Sequence, residues 1–205
     1  MRHALLGFTL LLAVFTVACG GSNAPISNAG EAKKETDAPM DAKKLSFSND
    51  GSKLEWTAAK VSLTHQGGFK KFSGVVALSP DGKNLTNIDV DIETSSIFSD
   101  NDTLTGHLKS ADFFNVEKYP KAKFVSTDIK AGGKDGDTHT ITGNLTLLDV
   151  KRSVTFGAVV KIADGKLSAN SKFQINRQDW GIKYPGKPDD LINDLVELRL
   201  TIEAK

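Results

Sequence analysis

The stretch DTLTGHLKSADFFNVEKYP, residues 102–120, is the one place beyond the amino-terminal region where apolar residues recur at helical spacing. Leu104, Leu108 and Ala111 occupy positions i, i+4 and i+7, so they share one face of a helix. Pro120 prevents that helix from continuing. The pattern predicts one short helix, inserted in the middle of a chain whose other segments alternate with a period of two.

Apolar and polar residues alternate on both sides of this helix, as in strands with one buried and one solvated face. The buried rows are Leu54, Trp56 and Ala58; Phe72, Gly74, Val76 and Leu78; Ile88, Val90 and Ile92; Ile141, Gly143, Leu145 and Leu147; Val154, Phe156, Ala158, Val160 and Ile162; Leu167, Ala169, Ser171, Phe173 and Ile175; and Val196, Leu198, Leu200 and Ile202. With residues 123–129, these rows indicate about eight strands joined mostly by short turns.

The strands predict an all-β fold, an eight-stranded antiparallel up-and-down barrel of lipocalin-like shape with one short helix inserted mid-chain. Closing the sheet hides both its apolar face and its edges. A two-sheet sandwich is the alternative. We favour the barrel because consecutive hairpins need no crossovers and the helix can cover one end.

Several positions in the inward row are small, namely Gly74, Gly143, Ala158, Ala169 and Ser171. An eight-stranded barrel either fills with side chains or holds one small ligand. Small residues would leave volume that costs stability unless an apolar guest occupies it. The alternative is that they fit the taper of a filled barrel.

Residues 1–18 have the pattern of an export signal, a short basic start followed by an apolar run too short to span a bilayer. Cys19 follows and is the only cysteine of the chain. The arrangement is similar to a bacterial lipoprotein signal, in which the cysteine becomes the lipidated first residue; an ordinary secretory signal with a free thiol is the alternative.

Residues 19–43 are small, polar and charged, which predicts a flexible tether spanning about 25–30 Å. Residues 44–205 would form the barrel. We therefore expect an exported protein of the cell envelope, lipid-anchored to a membrane, on the periplasmic side in a Gram-negative host.

The sequence contains no recognisable catalytic or metal-binding motif. His65, His107 and His139 do not lie at metal-ligand spacing from another histidine or cysteine. The formal net charge is +1, and the charges are scattered, which does not indicate a nucleic-acid surface. We predict no catalytic residues, no metal ion, no nucleic-acid partner and no enzymatic activity. An enzyme acting on a lipid, with His65 or His107 as base, and a structural or stress-protective envelope barrel remain as alternatives.

Two segments differ from ordinary turns, THQGGFKKFSG at residues 64–74 and FQINRQDWGIKY at residues 173–184. In the second, Arg177 and Asp179 can pair and fix a bend. Trp180 has an amphipathic ring suited to a mouth that is apolar inside and wet outside. This segment is expected either to contact a ligand or to form a corner that locks the barrel.

Four motifs follow one another between residues 56 and 204. They are THQGGFKKFSG at 64–74, DNDTLTGHLKSADFFNVEKYPKAKF at 100–124, GNLTLLDVKRSV at 143–154 and FQINRQDWGIKYPGKPDDLINDLVELRLTIEA at 173–204. Together they resemble the YceI-like family of lipocalin-shaped, polyisoprenoid-binding proteins. Relatives often carry Gly-Val-Thr where this chain has Asp149, Val150 and Lys151, a departure confined to a hairpin turn.

The resemblance implies a barrel whose apolar channel holds a long isoprenoid or similar lipid, in the bacterial cell envelope, with no established catalysis. The expected partners are that lipid and the membrane, and no cofactor is expected. The oligomeric state stays open, and a homodimer is one of the options. His65, Arg177 and Asp179 are expected at the head group of the ligand or at a structural corner. The expected lipid contacts in the channel and mouth are Phe69, Phe72, Leu108, Phe113, Phe114, Phe124, Phe156, Phe173, Ile175 and Trp180.

Overall fold

The computed structural model describes residues 22–205. The predicted signal peptide and Cys19 lie outside the described residues. No helix within residues 22–205 is long and apolar enough to cross a membrane. The strands are β1 (Lys43–Ser48), β2 (Lys53–Lys60), β3 (Thr64–Phe69), β4 (Phe72–Leu78), β5 (Leu85–Glu93), β6 (Ile97–Ser99), β7 (Lys121–Ala131), β8 (His139–Leu147), β9 (Val150–Ala163), β10 (Lys166–Asn176), β11 (Gly186–Lys187) and β12 (Asp190–Ala204). The helix α1 (Asp102–Lys109) follows β6, and short 3-10 turns span Thr94–Ser96 and Arg177–Trp180.

The eight predicted strands are present as eleven β-segments, because three of the strands are kinked, and the two-residue β11 is a twelfth. β1 and β2 form one long strand, and β3 and β4 form its hairpin partner, so that β1 pairs with β4 and β2 with β3. β5 and β6 form the next kinked strand, paired with β4 and β3. β7, β8, β9, β10 and β12 are continuous, and β11 is a two-residue segment beside β12. The predicted antiparallel up-and-down order is confirmed.

The sheet closes on itself. Its segments follow the order β1-β4-β5-β7-β8-β9-β10-β12-β2-β3-β6, and all pairs between these strands are antiparallel. The ends join because β2, which continues β1, pairs with β12. The backbones of Ser46 and Lys205 add two hydrogen bonds across this closure, with N···O distances of 2.9 and 3.0 Å. The architecture is therefore a barrel and not the two-sheet alternative.

The helix α1 covers one end of the barrel. Leu104 and Leu108, two residues of the predicted apolar face, pack there, and Leu108 is buried. The helix ends at Lys109, so Ala111, predicted to share the same face, is exposed instead. We call the apolar group beneath α1 the helix-end cluster. Its buried members are Trp56, Ile97, Leu108, Phe113 and Ile182.

Residues 22–36, which we call the strap, lie against the outside of the barrel. Asn144, with 1 % of its surface exposed, donates to the carbonyl of Lys33 at 2.7 Å and accepts from the amide of Lys33 at 2.9 Å. The side chain of Gln174 donates to the strap backbone at 2.6 Å. A flexible tether over residues 19–43 does not describe this segment. Composition did not reveal this docking, because the strap is held by hydrogen bonds to side-chain amides of the barrel and not by burial of large apolar residues.

The strap fills a seam between β9 and β10. These two strands pair with one another only as far as Val159 and Asn170. Beyond that point the strap backbone is hydrogen-bonded to Ser153 of β9 and to Gln174 of β10. Backbone groups in a sheet need partners. The strap therefore supplies, over this stretch, hydrogen bonds that a full β9–β10 ladder would otherwise make.

Candidate functional site

An apolar cavity of about 240 Å³ occupies the interior of the barrel. Its wall includes Leu85 and Leu167, toward the end away from the helix, and Leu108 and Ile192 at the helix end. The wall is almost entirely hydrocarbon because the inward row of each strand is apolar. The cavity thus runs along the barrel and ends beneath α1.

Eight of the ten predicted lipid-contact residues lie on the cavity wall. Within this set, the rings of Phe156 and Phe173 are parallel and stacked, with centroids 4.3 Å apart, and Phe124 packs against Phe156 at 5.7 Å. Phe69 and Phe114 meet edge to face at 5.8 Å near the helix end. The eight wall residues are Phe69, Leu108, Phe113, Phe114, Phe124, Phe156, Phe173 and Ile175.

Phe72 and Trp180, the other two expected lipid contacts, do not lie on the cavity wall. Both are buried in the apolar core of the barrel but do not border the cavity. Trp180 is fully buried, and its indole nitrogen donates to the carbonyl of Leu145 at 2.9 Å. Its ring therefore belongs to the packing that supports the wall and not to a mouth exposed to water.

The small inward residues divide into two groups. A Cβ atom at Gly74 would lie 2.3 Å from the ring of Phe47, and one at Gly143 would lie 2.4 Å from the ring of Phe124. These glycines leave no empty volume, because aromatic rings cross directly over them. The other three small residues, Ala158, Ala169 and Ser171, do border the cavity. The small residues that leave room for the cavity therefore lie on β9 and β10.

The sequence suggested that Arg177 pairs with Asp179, but the structure shows other partners for Arg177. Its buried guanidinium donates to the carbonyl oxygen of Ile182 at 2.7 Å, to that of Asn193 at 3.2 Å and to the carboxylate of Asp194 at 3.0 Å. Burial lowers the pKa of Arg177 from its usual value, and the charge of Asp194 opposes that shift. The segment is thus a corner in which one guanidinium bonds both the loop at Ile182 and the first part of β12, while Arg177 also borders the cavity. Asp179 is half-buried and does not border the cavity.

Both histidines considered as bases have carboxylate partners that could not be assigned from sequence. His65 Nδ1 lies 2.8 Å from Asp100, outside the cavity, and this contact together with the amide of Gln66 lowers the pKa of Asp100. His107 Nε2 lies 2.8 Å from Asp112. The two pairs lie 35 and five residues apart in the chain, and no motif marks either.

His107 also belongs to an aromatic group at the helix end. Its ring centroid lies 4.9 Å from those of Phe113 and Tyr184, in both cases edge to face. His107 itself does not border the cavity, whereas Phe113 does. Within residues 22–205, no three metal-ligating side chains gather closely enough to hold an ion.

Sequence reasoning missed Trp56 as a wall residue. The alternation predicts that Trp56 lies in the buried row of β2, but Trp56 is not among the predicted ligand contacts. Trp56 borders the cavity at the helix end, and its indole nitrogen is buried without a hydrogen-bond partner among residues 22–205. The sequence gives no sign that the indole nitrogen of Trp56 is buried without a partner; only the structure shows this.

Comparison with known proteins gives one family. A family model described as the YceI-like domain matches residues 45–204. A UPF0312 protein of Pseudomonas putida (strain W619) is 39% identical over 159 residues, which are 74% of this chain and 79% of the relative. The crystal structure of Burkholderia cenocepacia BcnA superposes with a TM-score of 0.66 at 22% identity, covering 77% of this chain and 98% of BcnA. A polyisoprenoid binding domain from Saccharophagus degradans superposes with a TM-score of 0.62 at 13% identity, covering 80% and 99%. Because both identities are below 25%, these two superpositions show only that this chain has the same fold as the two solved structures.

Proposed function

The chain belongs to the YceI-like family, and on that premise we propose that it holds a long-chain apolar lipid of isoprenoid type inside its barrel without catalysing a reaction on it. The observation that carries the proposal is the apolar cavity of about 240 Å³. An engineered apolar cavity of about 150 Å³ binds benzene. A longer cavity, lined by stacked and edge-on aromatic rings, suits a slender hydrocarbon chain.

Energetics favour an occupied barrel. Cavity formation costs about 24 cal/mol per Å³, so a dry void of this size would cost on the order of 6 kcal/mol. Domains have a total stability of about 5–15 kcal/mol. A bound chain would recover much of that loss through dispersion and burial. The printed description of the Saccharophagus degradans domain as polyisoprenoid binding supports the isoprenoid class.

A titration of delipidated protein with a fluorescent polyisoprenoid tests the proposal. Wild-type protein should take up one equivalent. Ala169→Phe places a ring in the cavity and should weaken uptake at least tenfold, because it fills volume that the lipid needs. Val159→Phe, at an exposed position on β9, is the matched control and should bind like the wild type. Equal uptake by the two variants, or none by the wild type, would contradict the proposal.

One observation favours a second candidate, an enzyme acting on a lipid. A general base usually has an orienting partner, and His107 has one in Asp112, beside Phe113 on the cavity wall. Mass spectrometry of the lipid after incubation separates the two candidates. Recovery of the lipid unchanged supports binding alone, and conversion that is lost in His107→Ala supports catalysis.

The location that we propose is the cell envelope, with the protein held to a membrane through lipidated Cys19. The strap begins at Ser22, whose hydroxyl donates to Glu197 on the outer face of β12. The link between Cys19 and Ser22 can span at most about 11 Å. The barrel would then lie close to the membrane surface and not 25–30 Å away, as a free coil would allow.

Cell fractionation tests the anchor. Two or more acyl chains make membrane anchoring stable where one chain is marginal. Cys19→Ala should therefore move the protein from the membrane fraction to the soluble fraction. Retention of the Ala variant in membranes would rule out anchoring through Cys19.

A further inference from the structure

Three large apolar side chains lie together in solvent at the helix end of the barrel. Val61 and Leu63 belong to the turn between β2 and β3, and Leu191 lies at the start of β12. They are 78 %, 52 % and 51 % exposed. The amide of Val61 donates to the carbonyl of Leu191 at 3.1 Å, so the turn touches β12. We call these three residues the apolar tip. Exposed apolar side chains that are grouped mark sites of contact with proteins or membranes, whereas single ones do not.

The backbone of the tip is already hydrogen-bonded within the protein. The amide of Lys60 donates to the carbonyl of Leu63 at 2.8 Å, and the amide of Leu63 donates to that of Lys60 at 3.3 Å. The amide of Ser62 donates to the carboxylate of Asp190 at 3.1 Å, and the same carboxylate pairs with the ammonium group of Lys60. Backbone groups that enter hydrocarbon must find their partners within the protein. The tip meets this condition, since each amide from Lys60 to Leu63 has an acceptor.

The tip adjoins the cavity. Lys60, directly before the turn, pairs with Ile192 in the ladder between β2 and β12. Ile192 borders the cavity, and so does Ala58, which lies two residues before Lys60. A surface that covered the tip would therefore lie against the helix end of the cavity.

A bilayer fits the tip better than a protein partner does. Three side chains are far fewer than the roughly 20–30 residues a side of a stable protein interface. The chain before the strap also points to a membrane. Ser22 bonds Glu197, which lies on the same strand as Leu191 and about 20 Å from it at ~3.3 Å per residue. The link from Ser22 to Cys19 spans at most about 11 Å. A membrane that holds Cys19 is thus within reach of the tip.

We propose that the apolar tip inserts into the membrane surface, at the boundary of head groups and acyl chains, and turns the helix end of the barrel toward the bilayer. The inference rests on the proposed anchor at Cys19 and extends the proposed lipid binding, because the cavity would then end at the membrane. The charges beside the tip are balanced, Lys60 and Lys187 against Asp189 and Asp190, so insertion depends on the apolar side chains and not on anionic lipids. Three side chains alone bind reversibly, so Cys19→Ala protein is still expected in the soluble fraction.

Fluorescence quenching tests the inference on the full protein, purified from host membranes and reconstituted into phosphatidylcholine vesicles. Acylation blocks the one natural thiol, so a fluorophore reacts only with an introduced cysteine. Bromine atoms on the lipid acyl chains should dim a label at Leu63→Cys at least about twofold, because that side chain reaches the acyl chains. A label at Val75→Cys, an exposed position on β4, is the control and should keep its emission. Adding Val61→Ser and Leu191→Ser to the Leu63→Cys protein should remove most of the quenching, whereas adding Val159→Ser should leave it unchanged.

Equal quenching at Leu63→Cys and Val75→Cys, or none at either, would overturn insertion of the tip and leave lipid binding within the barrel intact. A blue-shifted emission at Leu63→Cys without quenching by bromine would show that protein covers the tip, and would also overturn the inference. Reaction of the fluorophore with Cys19 of the wild type would overturn the proposed anchor, and this inference with it.

Discussion

Gly30 and Ser153 exchange two backbone hydrogen bonds, with N···O distances of 2.8 and 3.1 Å. Gly30 belongs to the strap, and Ser153 belongs to β9 in the region where β9 no longer pairs with β10. Behind this seam lie Phe156 and Phe173, stacked on the cavity wall. The residues before the barrel therefore complete the hydrogen bonding of the sheet at this seam, on the outside of the cavity wall.

Asn144 should be the main side chain that docks the strap. It is 1 % exposed and bonds both the amide and the carbonyl of Lys33. Asn144→Ala should lower the free energy of unfolding by about 1–3 kcal/mol, because partners buried with it are left unsatisfied. Amide hydrogen exchange at Gly30 should also accelerate. Asn84→Ala, in an exposed turn, is the control; equal losses in the two variants would contradict a docked strap.

Docking of the strap should weaken in acid. A hydrogen bond from Lys151, followed by one from Asn144, lowers the pKa of Glu35 below its ordinary value. A carboxylate with a lowered folded-state pKa stabilises the fold above its unfolded pKa, about 4.3, and loses that contribution as the pH falls through the lower folded value. The difference in unfolding free energy between wild type and Glu35→Gln should therefore shrink between pH 7 and pH 3. A difference that is constant over this range would show that Glu35 does not act through its charge.

Phe113 and Phe114 should differ in role although they are neighbours. Phe113 is buried in the helix-end cluster, so Phe113→Ala should cost about 3–5 kcal/mol of stability. Phe114 is half-buried, borders the cavity and meets Phe69 edge to face. Phe114→Ala should accelerate dissociation of a fluorescent polyisoprenoid with a smaller loss of stability, because changes within a binding site act mostly on the off-rate. Thermal unfolding of the ligand-free variants and stopped-flow dissociation provide the two readings. An unchanged off-rate with a large stability loss in Phe114→Ala would place Phe114 in the core.

Arg177 should stabilise the corner through Asp194 and the backbone carbonyls of Ile182 and Asn193. Arg177→Gln leaves a buried set of acceptors without their donor and should cost about 3–5 kcal/mol in chemical denaturation. Asp194→Asn should cost less, because the carbonyl contacts remain. Asp179→Asn should have almost no effect. A large effect of Asp179→Asn would restore the pairing suggested by the sequence.

The strands and their alternation could be predicted because each inward side chain repeats at a period of two, and the row from Val154 to Ile162 illustrates this. The kinks could not be predicted. Between β3 and β4, Lys70 and Lys71 interrupt the pairing without any break in composition. An interruption of this kind depends on how the closed sheet bends. The alternation of apolar and polar residues along one strand carries no information about that bend.

Which residues of the candidate site face inward could be predicted from the sequence. Their contact partners could not be predicted when they lie far away in the sequence. Phe124 could be expected on the wall from alternation, but its ring crossing over Gly143 could not, because that depends on two strands meeting in register. Arg177 was assigned to Asp179, two residues away, whereas its partner Asp194 lies 17 residues on. The pairing of β10 with β12 brings Asp194 to the corner, and the separation of the two residues in the sequence does not indicate this contact.

The most direct test of lipid binding is native mass spectrometry of the protein purified gently from its host, before and after extraction with organic solvent. The account predicts a principal species heavier than the polypeptide by the mass of one lipid, which extraction removes and a long-chain isoprenoid restores. A principal species at the bare polypeptide mass, with no uptake of any long-chain lipid afterwards, would contradict it.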